Sequence, residues 1–391
     1  MIDINSKKGA FVFGRIIWVG EGRVAIENDE GVFSYRHEGD PPPIGAWVLG
    51  EARGDVLENP WVGEKPSAPF PVPSGDWLAF HRDGRRRIRF LKLRAQALQT
   101  LRAFFNKRGY LEVETPLRVP SPGLDLHLDP LATSDGMWLI TSPEYQMKRL
   151  LSAGLPRIYQ IARAFRRGEV GHLHEPEFTL VEWYRAFADS ASLRGETAEL
   201  IAELALALKG RLNLKIEAFG KSQEINLEPP WEELSVEEAF KRWAPLPLEE
   251  ALKDESVFYR LWVESIEPHL GLKRPVFVVD WPASMASLAQ LKPDRPDRAD
   301  RFELYICGIE LSNGFGELID PIEQRRRLVR DQEERARRGL PVPPIDERFL
   351  KALEEGLPPC AGNALGFDRV LALLLGASSI AEVMAFESSR L

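Results

Sequence analysis

Three stretches of the chain carry residue types whose spacing could do chemistry. In IYQIARAFRRGEVGHLHEPEFTLVEWYRAF, residues 158–187, two alternating runs flank a polar loop of about eleven residues, which predicts a long hairpin able to fold over a ligand. Because side chains alternate along a strand, Phe178, Leu180, Glu182 and Tyr184 share one face. An aromatic ring there could stack on a flat base, and a carboxylate beside a phenol could hold an ammonium group. Arg166, at the end of the first run, would aim its planar fork at phosphate. The same parity also suits a half-buried hairpin with an ion pair, and both readings stand at this point.

The second stretch is RFELYICGIELSNGFGE, residues 301–317. With Cys307-Gly308 at the centre of a two-residue turn, Ile306 pairs with Ile309 and Tyr305 with Glu310. Glu303 then lies diagonally beside Glu310 on the same face, and two such carboxylates repel unless a cation sits between them. Oxygen ligands suit magnesium, and a divalent ion could also touch phosphates; two solvated glutamates on a hairpin are the plainer alternative. Register is expected to be lost at Asn313-Gly314, so parity does not aim Glu317. In the third stretch, CAGNALGFDRVLALLLG, residues 360–376, the small residues Ala361, Gly362, Ala364 and Gly366 would let backbone approach a ligand. Arg369 falls near the start of an apolar helix, whose dipole would add to its charge for anions, although tight packing explains many glycine-rich segments before helices.

These residues need elements to position them. Strand runs bracketed by helices, without regular βαβ alternation, predict an α+β fold with an antiparallel sheet flanked by helices. Residues 85–391 are assigned to this domain, 73–84 to a proline-bearing linker, and 1–72 to a small β-rich domain of OB-like type. The basic segment RDGRRRIRFLKLRAQALQTLRAFFNKRG places Phe90, Leu93, Ala97, Leu101 and Phe104 at helical spacing, and Gly109 ends the pattern. Between that helix and Phe187 the sequence reads as alternating strands. A helix is expected over 190–210, a hairpin over 211–227 and helical segments over 235–270; strands return at VFVVDWPAS and RFELYICGIELSNGF, and three further helices follow.

Composition narrows the function classes. The chain has 391 residues, 44% hydrophobic and 28% charged, with a formal charge of -8, which disfavours non-specific binding to a phosphate backbone by the whole molecule. Through Gly75, seven basic residues stand against eleven acids, a local charge of -4 and a poor footprint for an RNA reader. No apolar run reaches membrane-spanning length and the first residues lack a signal-peptide layout, so a cytoplasmic location is expected. Cys307 and Cys360, the only cysteines, lack metal-ligand spacing, which fits a reducing compartment and argues against zinc.

Taken in order, the three stretches resemble motif 2, the metal-binding hairpin and motif 3 of class II aminoacyl-tRNA synthetases, and FFNKRGYLEVETP, with Pro116, resembles motif 1. HEPEFTLVEWY, SPEYQMKRLL, RFELYICGIELSNGFGE and GNALGFDR resemble the lysine-type branch, from about residue 86 onward. Within it, the short acidic N-terminal segment, SPEY, LVEWYR and Ala364 are similar to the elongation factor P lysine ligases, which modify a protein instead of a tRNA. The extra methyl of Ala364, where lysyl-tRNA synthetases usually carry glycine, suits (R)-β-lysine.

The resemblance implies ATP and magnesium as cofactors, with Glu303 and Glu310 holding the metal. Arg166 would bind the α-phosphate, Arg369 the γ-phosphate and Phe178 the adenine, while His174 would approach the outer phosphates. Arg167, Gly168, Glu169, Glu175, Leu311 and Gly366 would complete the ATP site. Ser142, Pro143, Glu144, Glu182, Tyr184, Asn313, Glu317 and Ala364 would surround the amino acid. Motif 2 normally reads Arg-x-Glu; here Gly168 takes the acidic position, and Glu169 is expected to read adenine in its place. Glu175 replaces a usual asparagine. The implied partners are lysine or (R)-β-lysine and elongation factor P, with tRNA and membrane disfavoured and a homodimer expected. A compact lysyl-tRNA synthetase and a non-catalytic paralogue are the alternatives.

Overall fold

A computed structural model describes residues 10–391; the signal-peptide reading and the first part of the 1–72 domain assignment fall on residues 1–9, outside the described residues. The chain divides into two compact units, residues 1–90 and 91–391.

The first unit holds β1 (Ala10–Gly20), β2 (Arg23–Glu27), β3 (Val32–Arg36), β4 (Trp47–Arg53) and β5 (Val56–Val62). They close into a barrel in the order β1-β2-β3-β5-β4, so the alternating apolar residues have one interior to fill. Val12, Ile16, Val24, Ile26, Tyr35, Val48, Ala52 and Leu57 fill it. The N-terminal part is thus a small five-stranded barrel, as the strand spacing predicts.

Helix α1 (Asp76–Lys107) is interrupted at residues 82–85, where Asp83, Gly84 and Arg85 all take positive φ. Residues 76–81 of the stretch assigned to a linker are therefore helical, and the break takes in its last three residues and Arg85. Beyond the break, Phe90, Ala97, Leu101, Phe104 and Phe105 are buried at helical spacing, and Gly109 with φ 73 ends the run.

The second unit continues with β6 (Leu111–Glu112), β7 (Arg118–Val119), β8 (Trp138–Leu139), α2 (Glu144–Ser152), β9 (Arg157–Phe165), β10 (Glu177–Ala186) and α3 (Ser190–Lys209). Next come β11 (Asn213–Ala218), β12 (Lys221–Asn226), β13 (Glu232–Ser235), α4 (Val236–Trp243), α5 (Leu248–Ala251), α6 (Glu255–Leu261), β14 (Val276–Pro282), β15 (Arg298–Ile306) and β16 (Ile309–Gly316). Helices α7 (Pro321–Arg337) and α8 (Glu347–Gly356), strand β17 (Cys360–Gly366) and helix α9 (Phe367–Leu375) complete the described elements.

Eight strands form one sheet in the order β13-β14-β15-β16-β17-β10-β9-β6, antiparallel except at its two outermost pairs. One core of Phe240, Phe258, Trp262 and Trp281 packs against β14 and β15, and another of Tyr145, Met147 and Phe349 joins α2 and α8. Two sequence readings are corrected here. Residues 144–152, expected among strands, form α2; their buried Tyr145, Met147, Lys148 and Leu151 follow a helical period over only nine residues. The small-residue run before α9 is itself a strand, β17, lying between β16 and β10. Its small residues allow close packing: a Cβ at Gly362 would come within 2.3 Å of the Tyr184 ring. Among the described residues, no helix is long and apolar enough to cross a membrane.

Candidate functional site

The sheet brings the three chemical stretches side by side. Along β10, Phe178 pairs with Ala164 on β9, Glu182 with Ala364 and Tyr184 with Gly362 on β17; on the far side of β17, Ala364 pairs with Asn313 of β16. A cavity of about 510 Å³ opens over this surface. Its wall includes Ser142, Glu144, Arg166, Glu169, His174, Glu175 and Phe178, together with Glu303, Glu310, Leu311, Asn313, Ala364, Gly366 and Arg369. Pro143, Arg167, Gly168, Glu182, Tyr184 and Glu317 are not on that wall. Pro143 is buried at the start of α2, while Arg167 and Gly168 are exposed on the loop between β9 and β10. Glu182, Tyr184 and Glu317 lie buried beneath the surface, so the expectation that Glu182 and Tyr184 face an open wall with Phe178 is corrected.

The hairpin β15-β16 turns at Cys307 and Gly308, both with positive φ, and pairs Ile306 with Ile309 and Tyr305 with Glu310. Register is not lost at Asn313-Gly314. The irregularity is a bulge at Leu311, after which Leu304 pairs with Ser312, Glu303 with Asn313 and Phe302 with Gly314. The bulge turns Glu310 and Asn313 toward the same cavity as Glu303. Burial, and to a lesser extent Glu310, push Glu303 up to about 7, although Arg301 pairs with it at 2.5 Å and the Tyr305 hydroxyl donates to it at 2.6 Å. Among the described residues no three His, Cys, Asp or Glu side chains form a metal cage. Two carboxylates on one face, still repelling despite Arg301, suit an oxygen-preferring divalent ion whose shell is completed by phosphates and water.

At the other side of β17, two arginines face the cavity. Arg166 lies with its guanidinium 4.9 Å over the Phe178 ring, and its Nε has no hydrogen-bond acceptor. Glu169 is 3.8 Å from Arg166 and 4.0 Å from His174. Gly168 takes φ +76 in the turn before it, with no atom within 4 Å of where a Cβ would stand. Arg369, in the first turn of α9, donates to the Leu173 and Glu310 carbonyls at 3.1 Å and lies 2.7 Å from His174 Nε2. Burial, with Arg369 next, lowers the His174 pKa, so the neutral ring accepts from Arg369 through Nε2. A Cβ at Gly366 would meet Arg369 and Leu311 only at ordinary contact distance, so the protein does not need glycine there for its own packing; the space opens to the cavity. Glu175 accepts from the Ser388 backbone N–H at 3.1 Å.

The carboxylates around Ser142 and Lys148 form an internal network. Glu182 accepts from Tyr184 at 2.6 Å and from Ser142 at 2.8 Å. Lys148 is completely buried and pairs with Glu144 and Glu317, both at 2.5 Å. Burial pushes Glu182 up to about 7 and Glu317 up to about 8, with Glu144 raising both. Glu317 Oε1 has no donor, and a Cβ on Gly362 would reach within 2.7 Å of it.

Sequence reasoning did not single out Lys148, Arg301, Arg94 or Asp368. Arg94 of α1 donates to Asp368 at 2.5 Å and Thr179 at 2.8 Å, and Asp368 accepts from the Thr179 N–H at 2.6 Å, which ties the start of α9 to β10. The i,i+4 spacing of Glu144 and Lys148 was the one visible signal.

Comparison with known proteins gives a consistent picture. Residues 77–390 match the family described as tRNA synthetases class II (D, K and N), a span that begins after the barrel. The chain is 41% identical over 308 residues to elongation factor P–(R)-β-lysine ligase of Hamiltonella defensa subsp. Acyrthosiphon pisum, covering 76% of this chain and 94% of that protein. It is 42% identical over 303 residues to the enzyme of that name from Proteus mirabilis, covering 75% and 93%. The Klebsiella pneumoniae subsp. pneumoniae protein of the same name is 43% identical over 312 residues, covering 76% and 94%.

Proposed function

The chain belongs to the class II tRNA synthetase family (D, K and N), in the branch of the elongation factor P–(R)-β-lysine ligases, and from this we propose that it activates a lysine-type amino acid with ATP and transfers it to a lysine of elongation factor P. The observation that carries this reading is the polarity of the cavity and of the network behind its wall. Arg166 and Arg369 line one part of its wall, and elsewhere Ser142 and Glu144 connect the wall to the buried Glu182, Tyr184, Lys148 and Glu317 behind it. ATP fits the first and an ammonium-bearing amino acid the second, which brings the carboxylate of one to the α-phosphate of the other.

Arg166 orients the α-phosphate, its free Nε and planar fork meeting charge that grows as the amino-acid carboxylate attacks phosphorus. Phe178 offers a ring face to adenine. Arg369, held in place by neutral His174 and two carbonyls, grips the γ-phosphate, and Gly366 gives the chain of phosphates room. Glu303 and Glu310 would hold magnesium, which when bound neutralises phosphate charge. Glu169 stands in for the residue that Gly168 lacks and reads the adenine edge. Leu311, at the bulge, and Glu175, on the cavity wall, border the nucleotide, while exposed Arg167 acts through the turn that aims Glu169.

Glu182, Tyr184 and Glu317 hold the side-chain ammonium of the substrate, and Ser142, Glu144 and Asn313 its other end. Pro143 fixes the start of α2. Ala364, opposite Glu182 and Asn313 in register, narrows the pocket by one methyl, which favours (R)-β-lysine over α-lysine. Activation forms the bond between carboxylate oxygen and α-phosphorus and expels pyrophosphate. The acceptor amine then attacks the activated carbonyl, an amide forms and AMP leaves. The protein works in the cytoplasm as a homodimer, with a protein acceptor in place of tRNA.

Pyrophosphate exchange with (R)-β-lysine and α-lysine tests activation, and parallel transfer assays on elongation factor P and tRNA test the acceptor. We expect exchange with (R)-β-lysine and label on the protein; efficient tRNA charging would overturn the acceptor assignment.

A further inference from the structure

Resting on that reading of the amino-acid pocket, we propose that Lys148 is a resident counter-ion: it neutralises one of three pocket carboxylates, two of them buried, and leaves two to be met by a substrate with two ammonium groups. The proposal stands on geometry. Lys148 projects from α2 with no solvent exposure, and its Nζ sits 2.5 Å from both Glu144, on the cavity wall, and Glu317, below it. Glu182 is the third carboxylate, held by Ser142 and Tyr184. Three potential negative charges thus face one positive charge, with Glu182 and Glu317 buried and Glu144 at the cavity wall.

A buried carboxylate without a countercharge is costly, and burial raises Glu182 to about 7 and Glu317 to about 8, so without substrate protons stand in for the countercharge that an ammonium would supply. The free Oε1 of Glu317 lies beside Tyr184 across the space that Gly362 leaves open. This is an acceptor with no donor in the protein, in a place where an ammonium of the substrate completes its bonding. A substrate with two ammonium groups closes the charge balance; one with a single ammonium leaves a carboxylate protonated or unpaired.

The groups that face Lys148 come from each element packed around it. Glu144 lies on α2, Glu182 on β10, Cys360 on β17 and the Phe349 ring, 5.9 Å from Nζ, on α8; Glu317 follows β16. Burial works against the lysine charge, but Glu144 and Glu317 outweigh it and hold its pKa above the ordinary value. In return Lys148 pulls Glu317 and Glu182 down against burial. Lys148 is a positioning residue, since its cation is already occupied by two carboxylates.

The test is K148M in pyrophosphate exchange, read as KM for the amino acid and for ATP from pH 6 to 9. The counter-ion role predicts an amino-acid KM raised at least about tenfold, an acid limb moved to higher pH because Glu317 loses its lysine, and an ATP KM within about twofold of wild type. An unchanged amino-acid KM and pH profile, or an equal loss for ATP, overturns it. If K148M does not fold, K148M/E317Q, which restores the two-carboxylate count, must recover a cooperative melt; a double variant no more stable than K148M also overturns the proposal. Wild-type exchange is measured first: its absence would refute the activation reading, whereas its presence with an indifferent K148M refutes only the counter-ion.

Discussion

The two ends of the cavity solve opposite electrostatic problems in opposite ways. Where the phosphates are proposed to bind, the cations are paired only at long range: Arg369 rests on two carbonyls and a neutral histidine with the Glu310 carboxylate at 3.8 Å, and Arg166 lies over Phe178 with Nε unpaired and Glu169 at 3.8 Å. At the amino-acid end the charges are locked to one another, Lys148 with Glu144 and Glu317, and Glu182 with two hydroxyl donors. On the proposed reading, the end that receives an anion keeps its charge loosely paired and so largely unspent, and the end that measures a small cation spends most of it internally and leaves a defined remainder. The ends should therefore respond differently to charge removal and to pH.

The largest effect should come from the unspent end. Arg369→Ala removes a cation that no neighbour replaces, and pyrophosphate exchange should fall about 10³-fold in kcat/KM, in the range expected for losing a preorganised electrostatic contact to a transferring phosphoryl group. Amino-acid binding, followed by calorimetry without ATP, should stay near wild type. Weakened amino-acid binding of the same size would show that the ends are not separable.

The internal end should instead be sensitive to protons. Burial holds Glu182 at about 7 and Glu317 at about 8 in the empty pocket. An ammonium binds the ionised forms, so kcat/KM for the amino acid should rise about tenfold per pH unit through that window and, with both carboxylates required, fall about a hundredfold per unit below it. Protons should be released on binding, measurable by calorimetry in buffers of different ionisation enthalpy. The same carboxylates make the empty protein less stable as pH rises from the ordinary glutamate range toward 8, because the folded state keeps protons that the unfolded chain has lost. A flat profile from pH 6 to 8.5 would remove the basis for treating this end as proton-linked.

The sequence showed the unspent end more readily than the internal one. Arg166, Phe178 and Arg369 sit at strand and helix positions that period counting reaches, and the Cys307-Gly308 turn fixed Glu310 opposite Tyr305 because both residues take positive φ. Counting failed past Leu311, since a bulge adds a residue that no period reveals. It failed also at α2, whose buried face includes a lysine that composition assigns to solvent and whose start at Pro143 has no side-chain cap. What makes Lys148 buried is the convergence of Glu144 and Glu317, residues 173 positions apart in the chain, and that is a fact of the fold.

Glu169 belongs to the phosphate end yet carries the opposite charge, close to both Arg166 and His174. On the proposed reading, in which Glu169 reads adenine, it must leave those cations when ATP binds. Glu169→Ala should weaken ATP affinity about tenfold, the cost of one hydrogen-bonded contact to a base, with amino-acid affinity unchanged. Normal ATP affinity in that variant would refute the assignment and return the question to the backbone of the loop.

The smallest effect sharpens the same point. Gly168 holds φ +76 with open space around its missing side chain, so Gly168→Ala meets no clash and carries only the backbone cost of a left-handed residue, about 1 kcal/mol. Urea denaturation should show that loss, while ATP affinity should change less than about twofold provided the turn still delivers Glu169. Gly168→Glu separates the two positions directly. If the acidic group must stand at 168 to reach adenine, this variant binds ATP more tightly despite its strain. If Glu169 already reads the base, the added carboxylate faces solvent like the glycine it replaces, and the variant shows the stability loss without any gain in affinity.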